Sequence, residues 1–392
     1  MSSASPTIFI FPFGHVLSHV ARCLMIGRGL REIGCRVLFG GNGRYLELPR
    51  QEGFEIRPSV EIDYGVFLAA VRKPLAGVGA FTAELIGRMV EDELRLYREV
   101  EPDLVLYDLH PSAATAADVT GIPHAAVVNA YLTRYSATAW VSYPPLLRLV
   151  LEPLRRRLNS APGNRVRRRY GLPPVRPWAA LYNSDLVLMP DVPEFAPTRN
   201  LPGHIHYTGP LIWEPDGALP DALDEIRSGR KLLYFTLGST GLPVTIQAVI
   251  AALRNSDYFV VVSTGDLAAP ADLGPLPENF YVTRYLPGSQ MVKRCDLVIC
   301  HGGNSTVYQA LTAGAPVIAV PTHMDQRLNA ELLVNAGAGA FLKPAEVGKV
   351  GQMVVEVLDK PSYRENAVRL QKILAGYDGP RTAAQLIRQF IN

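Results

Sequence analysis

Cys300-His301-Gly302-Gly303-Asn304-Ser305-Thr306 assembles residue types that can hold a diphosphate without a metal ion. A Gly-Gly turn from the apolar segment Asp296–Cys300 into the helix-like Val307–Ala313 aims backbone N–H groups and a helix N-terminus at an anion. Asn304, Ser305 and Thr306 add side-chain donors, and His301 adds a ring donor. Gly238-Ser239, within Leu237–Gly241, repeats the motif of a small loop after a strand. Asp325 and Gln326 follow another apolar segment and offer acceptor and donor together, as sugar hydroxyls require; Asp325 equally suits a helix N-cap. Tyr285, ahead of Leu286-Pro287, presents a ring on which a base would stack, although aromatic strand ends more often fill a core.

A second group lies near the start of the chain. His15 follows the apolar run Thr7–Phe11 in a Pro-Phe-Gly-His loop, where a near-neutral imidazole suits the role of general base. Asp108, closing the apolar Leu104–Tyr107, is the natural partner, a carboxylate that would accept the other ring N–H and fix the tautomer. Each has a plainer reading, His15 as a loop residue and Asp108 as a cap for the helix beginning near Pro111. His19 makes a His-x-x-x-His pair with His15, but no third ligand stands at metal-binding spacing, and no Asp-x-Asp exists to hold a cation on a diphosphate. Phosphate neutralisation by donors and helix dipoles, with no metal, is the expectation.

The elements that must position these residues recur as strand, helix, strand. Thr7–Phe11 reads as a strand, 18–33 as a helix closed by Gly34, and Cys35–Phe39 as the next strand. Asp103–Tyr107, His124–Asn129 and Asp185–Met189 are further strands, with helices over 113–119 and 81–100. A stretch rich in Pro, Asp and Gly, 213–230, reads as a linker. A new series then begins at Leu232–Thr236 and continues through strands 258–263, 280–286, 296–300 and 316–320, with helices over 305–313 and 327–336. Helices near 346–358, 361–375 and 380–391 finish the chain. Two doubly wound α/β domains follow, and ligands bind such sheets at the carboxyl ends of their strands. His15, Asp108, Gly238-Ser239, His301 and Asp325 all fall just after strands, so a cleft between two facing sheets would collect them.

Bulk properties agree with an enzyme of two domains. The chain has 392 residues, 48% hydrophobic and 19% charged, and its net charge of +3 is too small to argue for nucleic acid. Four cysteines without a Cys-x-x-Cys spacing read as buried thiols, and the N-terminus lacks the features of a secretory signal, so a cytoplasmic location is expected. Leu297–Met324 contains no Asp, Glu, Lys or Arg, but Gly302-Gly303 and Gly314-Ala315-Pro316 break it into two short strands around a helix rather than a membrane span. The basic run from Arg155 to Arg169 reads first as a solvated helix face; next to Leu146, Leu147 and Leu149–Leu151 it also suits peripheral docking on anionic lipid at the inner face of a membrane.

At these residues the chain resembles the family 1 glycosyltransferases of the GT-B fold, the group of plant, macrolide and other natural-product enzymes that use nucleotide-sugar donors. The resemblance rests on Phe11–His15, on Pro102–Asp108 through Gly121-Ile122-Pro123, and on Tyr285–Pro287 through His301–Thr306, Ala313–Pro321 and Asp325–Ala330. Tyr170–Pro174 with Tyr207–Leu211 is a softer match. It implies an acceptor-binding Rossmann-like domain over 1–212, a linker over 213–230, a nucleotide-sugar domain over 231–376, and a C-terminal helix, 377–392, returning to the first domain. It implies His15 as the general base with Asp108 orienting it, Tyr285 stacking on the nucleotide base, and Leu286 among the donor-binding residues. Ser239, His301, Ser305 and Thr306 would grip the diphosphate, Asp325 and Gln326 the sugar, with Gly238, Gly303 and Asn304 also in the donor site. Gln309 stands where many members use Glu on the ribose, which leaves UDP and dTDP both open; Gly288 replaces a frequent Gln and Ser18 a frequent Pro.

The resulting expectation is a metal-independent, inverting transferase that needs no cofactor besides the UDP- or dTDP-sugar co-substrate. Its acceptor is a hydroxyl on a small apolar or aromatic molecule, a natural product or a lipid, favoured by Tyr131, Trp140 and Tyr143. An NDP-sugar 2-epimerase and a non-catalytic nucleotide-sugar-binding subunit are the alternatives. The sugar, the acceptor and the oligomeric state are not legible.

Overall fold

The structure is a computed structural model describing residues 5–71, 73, 77–138, 145–220, 223, 229–238, 242–265 and 267–392, with 145–149 described by backbone alone. It divides into two compact units, Met1–Leu211 with Tyr377–Asn392, and Ile212–Gly376.

In the first unit β1 (Thr7–Pro12), α1 (Leu17–Glu32), β2 (Arg36–Gly41), α2 (Glu47–Gln51) and β3 (Glu55–Pro58) lead to α3 (Tyr64–Val71) and α4 (Ala83–Val100). Then come β4 (Leu104–Asp108), α5 (Ala113–Thr120), β5 (His124–Val127), α6 (Pro145–Arg169), β6 (Leu186–Met189) and β7 (Ile205–Tyr207). The strands form a parallel sheet in the order β3-β2-β1-β4-β5-β6-β7. Ile8, Phe9, Ile10 and Phe11 are all fully buried, the uninterrupted apolar run of a strand covered on both faces. Chain order reverses between β1 and β4, and Pro12 pairs with Asp108, so the His15 loop and Asp108 leave the same end of the sheet at its switch point. Thr82 caps α4 by accepting from the Leu85 N–H at 3.1 Å. Ile86, Met89, Val90, Tyr97 and Val100 face inward at helical spacing, and the helix stops at Glu101 (φ 49°) before Pro102.

The second unit runs β8 (Leu232–Thr236), α7 (Pro243–Leu253), β9 (Phe259–Ser263), β10 (Phe280–Thr283), α8 (Gly288–Val292), β11 (Leu297–Cys300) and α9 (Asn304–Thr312). β12 (Val317–Ala319), α10 (Met324–Asn335), β13 (Gly339–Phe341), α11 (Val350–Asp359) and α12 (Pro361–Leu374) complete it. Its parallel sheet has the order β10-β9-β8-β11-β12-β13, with the reversal between β8 and β11. Gly238 and the 301–303 turn therefore leave neighbouring strands at one switch point. The start of the stretch read as linker is fastened to this unit: Glu214 accepts the Ser289 N–H at 2.8 Å and the Gly217 carbonyl accepts from Gln290 at 2.9 Å.

The last helix, α13 (Gly379–Ile391), belongs to the first unit. Asp378 caps it through the Arg381 N–H at 3.1 Å, and Ala383, Ala384 and Ile387 are buried. Gly29 on α1 makes the close approach: a Cβ there would lie 2.7 Å from the Pro380 carbonyl oxygen. All four cysteines are free and buried. Leu297–Met324 is the β11-α9-β12 unit leading into α10, and among the described residues no helix is long and apolar enough to cross a membrane.

Candidate active site

In the first unit the loop between β1 and α1 carries His15. Phe13, beside it, is buried with Val16, Ile62, Ala70 and Ala80 in an apolar cluster that Tyr64 and Phe67 extend. The His15 ring stacks on Tyr64 (centroids 5.8 Å, planes 21° apart) and meets Phe13 edge-on. Partial burial lowers its pKa, Asp63 opposes that, and Arg44 reinforces it. A neutral ring is thus favoured, the form in which a base accepts a proton. Glu61 holds the loop in place, its two carboxylate oxygens accepting the N–H groups of Gly14 and Asn42, each at 3.0 Å. Packing there is tight enough that a Cβ on Gly14 would lie 2.0 Å from the Asn42 carbonyl oxygen. Burial raises the Glu61 carboxyl to about 7 even though His110 and the two N–H groups pull the other way.

Asp108 does not partner His15. Its carboxylate is buried, bound to the Arg22 guanidinium through both oxygens and to His19 Nδ1 at 2.8 Å. Burial alone would push this carboxyl up, but Arg22 and His19 hold it below the usual range. Arg22 in turn reaches Asn129 Oδ1 at 2.8 Å. The expected His15–Asp108 pair is corrected for a physical reason: His19 and Arg22, one turn apart on α1, saturate the carboxylate. Neither nitrogen of His15 has a hydrogen-bond partner among the described residues. Sequence reading set His19 aside as a metal ligand and overlooked Arg22, Glu61, Asp63 and Tyr64. The three-residue spacing of His19 and Arg22 on one face of α1 was the available signal for the first two.

In the second unit His301 is 7% exposed, and its ring is flanked by glycines: a Cβ on Gly303 would lie 2.4 Å from Nε2, and one on Gly238 2.7 Å from Cε1. Burial first, then the neighbouring His323, lowers its pKa to about 3, so the ring is neutral. Its Nδ1 is buried without a partner. Gly302 (φ +84°) sits so near α10 that a Cβ would lie 2.8 Å from the Gln326 carbonyl oxygen, which draws the 302–306 turn against the residues at 325–326. α9 begins at Asn304 with Gly303 as N-cap, and no side chain caps it. Asn304, Ser305 and Thr306 are half-buried there, and among the described residues no three His, Cys, Asp or Glu side chains gather at metal-binding spacing.

Other expected site residues are placed as follows. Strand β10 ends at Thr283, short of the expected 286, which leaves the Tyr285 ring in a loop and 50% exposed. Leu286 behind it is buried. The Gln309 amide packs on Gly288, where a Cβ would meet its Oε1 at 2.9 Å. α10 starts at Met324 rather than 327, so Asp325 and Gln326 lie in its first turn. The Asp325 carboxylate has no partner among the described residues. Gln326 is corrected: it is 2% exposed and its side-chain Oε1 accepts from the Thr322 N–H (2.8 Å) and hydroxyl (2.9 Å), which spends the acceptor expected to face a sugar. Ser239 lies outside the described residues, as do Trp140 and Tyr143.

This geometry can be set beside known proteins. The chain is 34% identical over 372 residues to a PGL/p-HBAD biosynthesis rhamnosyltransferase of Mycobacterium bovis (strain BCG / Pasteur 1173P2), spanning 90% of this chain and 81% of the relative. It belongs to the family 1 natural-product glycosyltransferases. Within this family of GT-B glycosyltransferases, residues 247–389 match the model described as Erythromycin biosynthesis protein CIII-like, C-terminal domain. The 4'-demethylrebeccamycin synthase of Lentzea aerocolonigenes is 28% identical over 383 residues, 90% of this chain and 86% of that one. Among solved structures the fold matches a spinosyn rhamnosyltransferase complexed with thymidine diphosphate (TM-score 0.75, 18% identity, 99% and 100% of the two chains). It also matches a calicheamicin glycosyltransferase (TM-score 0.76, 20% identity, 99% of each chain).

Proposed function

We propose that this glycosyltransferase moves a sugar from a UDP- or dTDP-sugar to a hydroxyl of a small apolar acceptor, with inversion and without a metal ion. The observation that carries the donor half is the neutral, buried His301 with its unpaired Nδ1 beside the uncapped N-terminus of α9. A diphosphate there would meet ring and backbone donors already in position, which stabilise charge developing on the leaving group at no reorganisation cost. The exposed Tyr285 ring suits stacking on the base, and the unpartnered Asp325 carboxylate suits a sugar hydroxyl. The dTDP donor gains support from the thymidine diphosphate complex of the spinosyn rhamnosyltransferase, and a biosynthetic small-molecule acceptor from the names of the relatives, which act in PGL/p-HBAD biosynthesis and as a 4'-demethylrebeccamycin synthase.

In the proposed step the acceptor oxygen attacks the anomeric carbon, and the bond from that carbon to the diphosphate oxygen breaks with its electron pair leaving on the diphosphate. His15 takes the acceptor proton, and the apolar wall of Phe13, Tyr64 and Phe67 suits an apolar acceptor beside it. His15→Ala is expected to lower transfer by about 10²–10⁴, the usual worth of a general base, with EDTA having no effect. Retention of most activity by that variant sinks the assignment, and abolition by EDTA sinks the metal-free reading. One observation favours a second reading: His19 holds the carboxylate contact, at 2.8 Å, that a dyad needs. His19→Gln would then carry the larger loss.

A further inference from the structure

Helix α6 turns two kinds of side chain to solvent along a single stripe. Val150, Leu154, Arg157, Ala161, Arg165 and Arg168 recur at steps of three and four and are all exposed, with Leu158 and Arg169 on its flank. Val150 is 65% exposed, Leu154 43% and Leu158 40%, an apolar half without a cover among the described residues. The basic half is equally unpartnered. Arg155 and Arg156 turn inward onto Glu152, and Arg167 onto Asp118. The guanidinium groups of Arg157, Arg165, Arg168 and Arg169 have no ion-pair or hydrogen-bond partner among the described residues. Glu152 is the one acid in the helix sequence, and it is buried.

We propose that this face of α6 docks the enzyme on an anionic phospholipid surface. The apolar end, Val150, Leu154 and Leu158, enters the headgroup–acyl boundary, and the arginines meet lipid phosphates. Charge complementarity decides the occupant. A second copy placed face to face would bring arginines against arginines with no acid to separate them. Single-stranded nucleic acid calls for aromatic stacking platforms, and the stripe presents aliphatic side chains instead. The inference does not depend on the donor, the acceptor or the catalytic histidine.

Sedimentation of the 392-residue chain with vesicles tests it directly. Binding is expected to phosphatidylcholine vesicles containing phosphatidylglycerol and not to phosphatidylcholine alone, and it weakens as salt shortens the screening length. Arg157→Gln, Arg165→Gln and Arg168→Gln together are expected to lower the partition coefficient about a hundredfold, roughly fivefold per arginine. The same three positions changed to Lys keep the charge and are expected to bind like the parent, which separates loss of charge from loss of folding. Leu154→Gln with Leu158→Gln is expected to lower binding about tenfold or more while transfer to a soluble acceptor is unchanged. Absence of vesicle binding, equal binding to neutral vesicles, or parent-like binding by the triple Gln variant overturns the proposal. So does binding to heparin without vesicles, or a dimer that the Leu variants dissolve, each of which assigns the face to another occupant.

Discussion

Asp108 ends β4 with both oxygens engaged by Arg22 and His19, so its removal has a consequence that a purely catalytic carboxylate would lack. Arg22 is 8% exposed, and taking away its carboxylate leaves a buried charge uncompensated. Asp108→Ala is expected to cost about 3–5 kcal/mol of stability, measured by denaturant unfolding of the first unit. A variant that loses activity while unfolding like the parent contradicts that account. Glu61 gives a pH signature of opposite origin. Its carboxyl is raised from 4.5 to about 7, so between those values the folded protein binds more protons than the unfolded chain. The contribution is therefore fully present below 4.5 and is lost as pH rises through about 7, a fall of about 3 kcal/mol. Glu61→Gln is expected to flatten that slope in melting curves taken across the window. Because only the carboxylate offers both oxygens to Gly14 and Asn42, the variant should also lose kcat more than KM. The types of His15 and Asp108 were legible in the sequence, and their pairing was not. Which carboxylate meets which histidine was decided by Arg22, seven positions beyond His15, and nothing in the local pattern of strand and loop reports a side chain arriving from the next helix.

Among the elements, the strands carrying the site were the easiest to read. β1, β4, β8 and β11 are largely apolar runs buried on both faces, and within three residues of each strand's end the chain reaches a Gly or His at the sheet's carboxyl edge. β3, β7 and β13 escaped notice because none holds an apolar run: β3 is Glu-Ile-Arg-Pro, β7 Ile-His-Tyr and β13 Gly-Ala-Phe. Tyr285 left its strand because β10 stops two residues earlier, and α10 opened early enough to take Asp325 and Gln326 into its first turn. The β11–α9 turn invites a test at this scale. Gly303 faces the His301 ring so closely that an added methyl group would meet Nε2 at 2.4 Å. Gly303→Ala is expected to displace the ring, abolishing the thermal stabilisation by UDP or dTDP while the fold of the second unit persists in circular dichroism. Retained nucleotide stabilisation would remove the turn from the donor site. His301 also sets an acid limit for this unit. With its pKa depressed from 6.5 to about 3, the unfolded chain binds the extra proton between those values, so stability rises with pH through that window. His301→Asn is expected to remove the rise, a slope opposite in sign to that of Glu61.

For the molecule as a whole, chain order and structural unit part company at the C-terminus. Tyr377–Asn392 follows the second unit in sequence and belongs to the first, where α13 lies on α1. The contact depends on Gly29, where a Cβ would meet the Pro380 carbonyl oxygen, and it buries Ala383, Ala384 and Ile387. Losing those side chains from a helix interface costs about 3–5 kcal/mol, a large share of the stability of one domain. Removal of residues 377–392 is thus expected to destabilise the first unit selectively. Deuterium uptake should rise in peptides from α1 and β1 and stay unchanged in those from β8 and β11. Nucleotide supplies the internal control, because a ligand held at a hundred times its Kd stabilises the state that binds it by about 2.7 kcal/mol. UDP or dTDP should still protect the 301–309 region of the truncated protein. If truncation instead raises uptake in β8 and β11, or if nucleotide protection vanishes with the helix, α13 supports the second unit as well, and the assignment of Tyr377–Asn392 to the first alone is wrong.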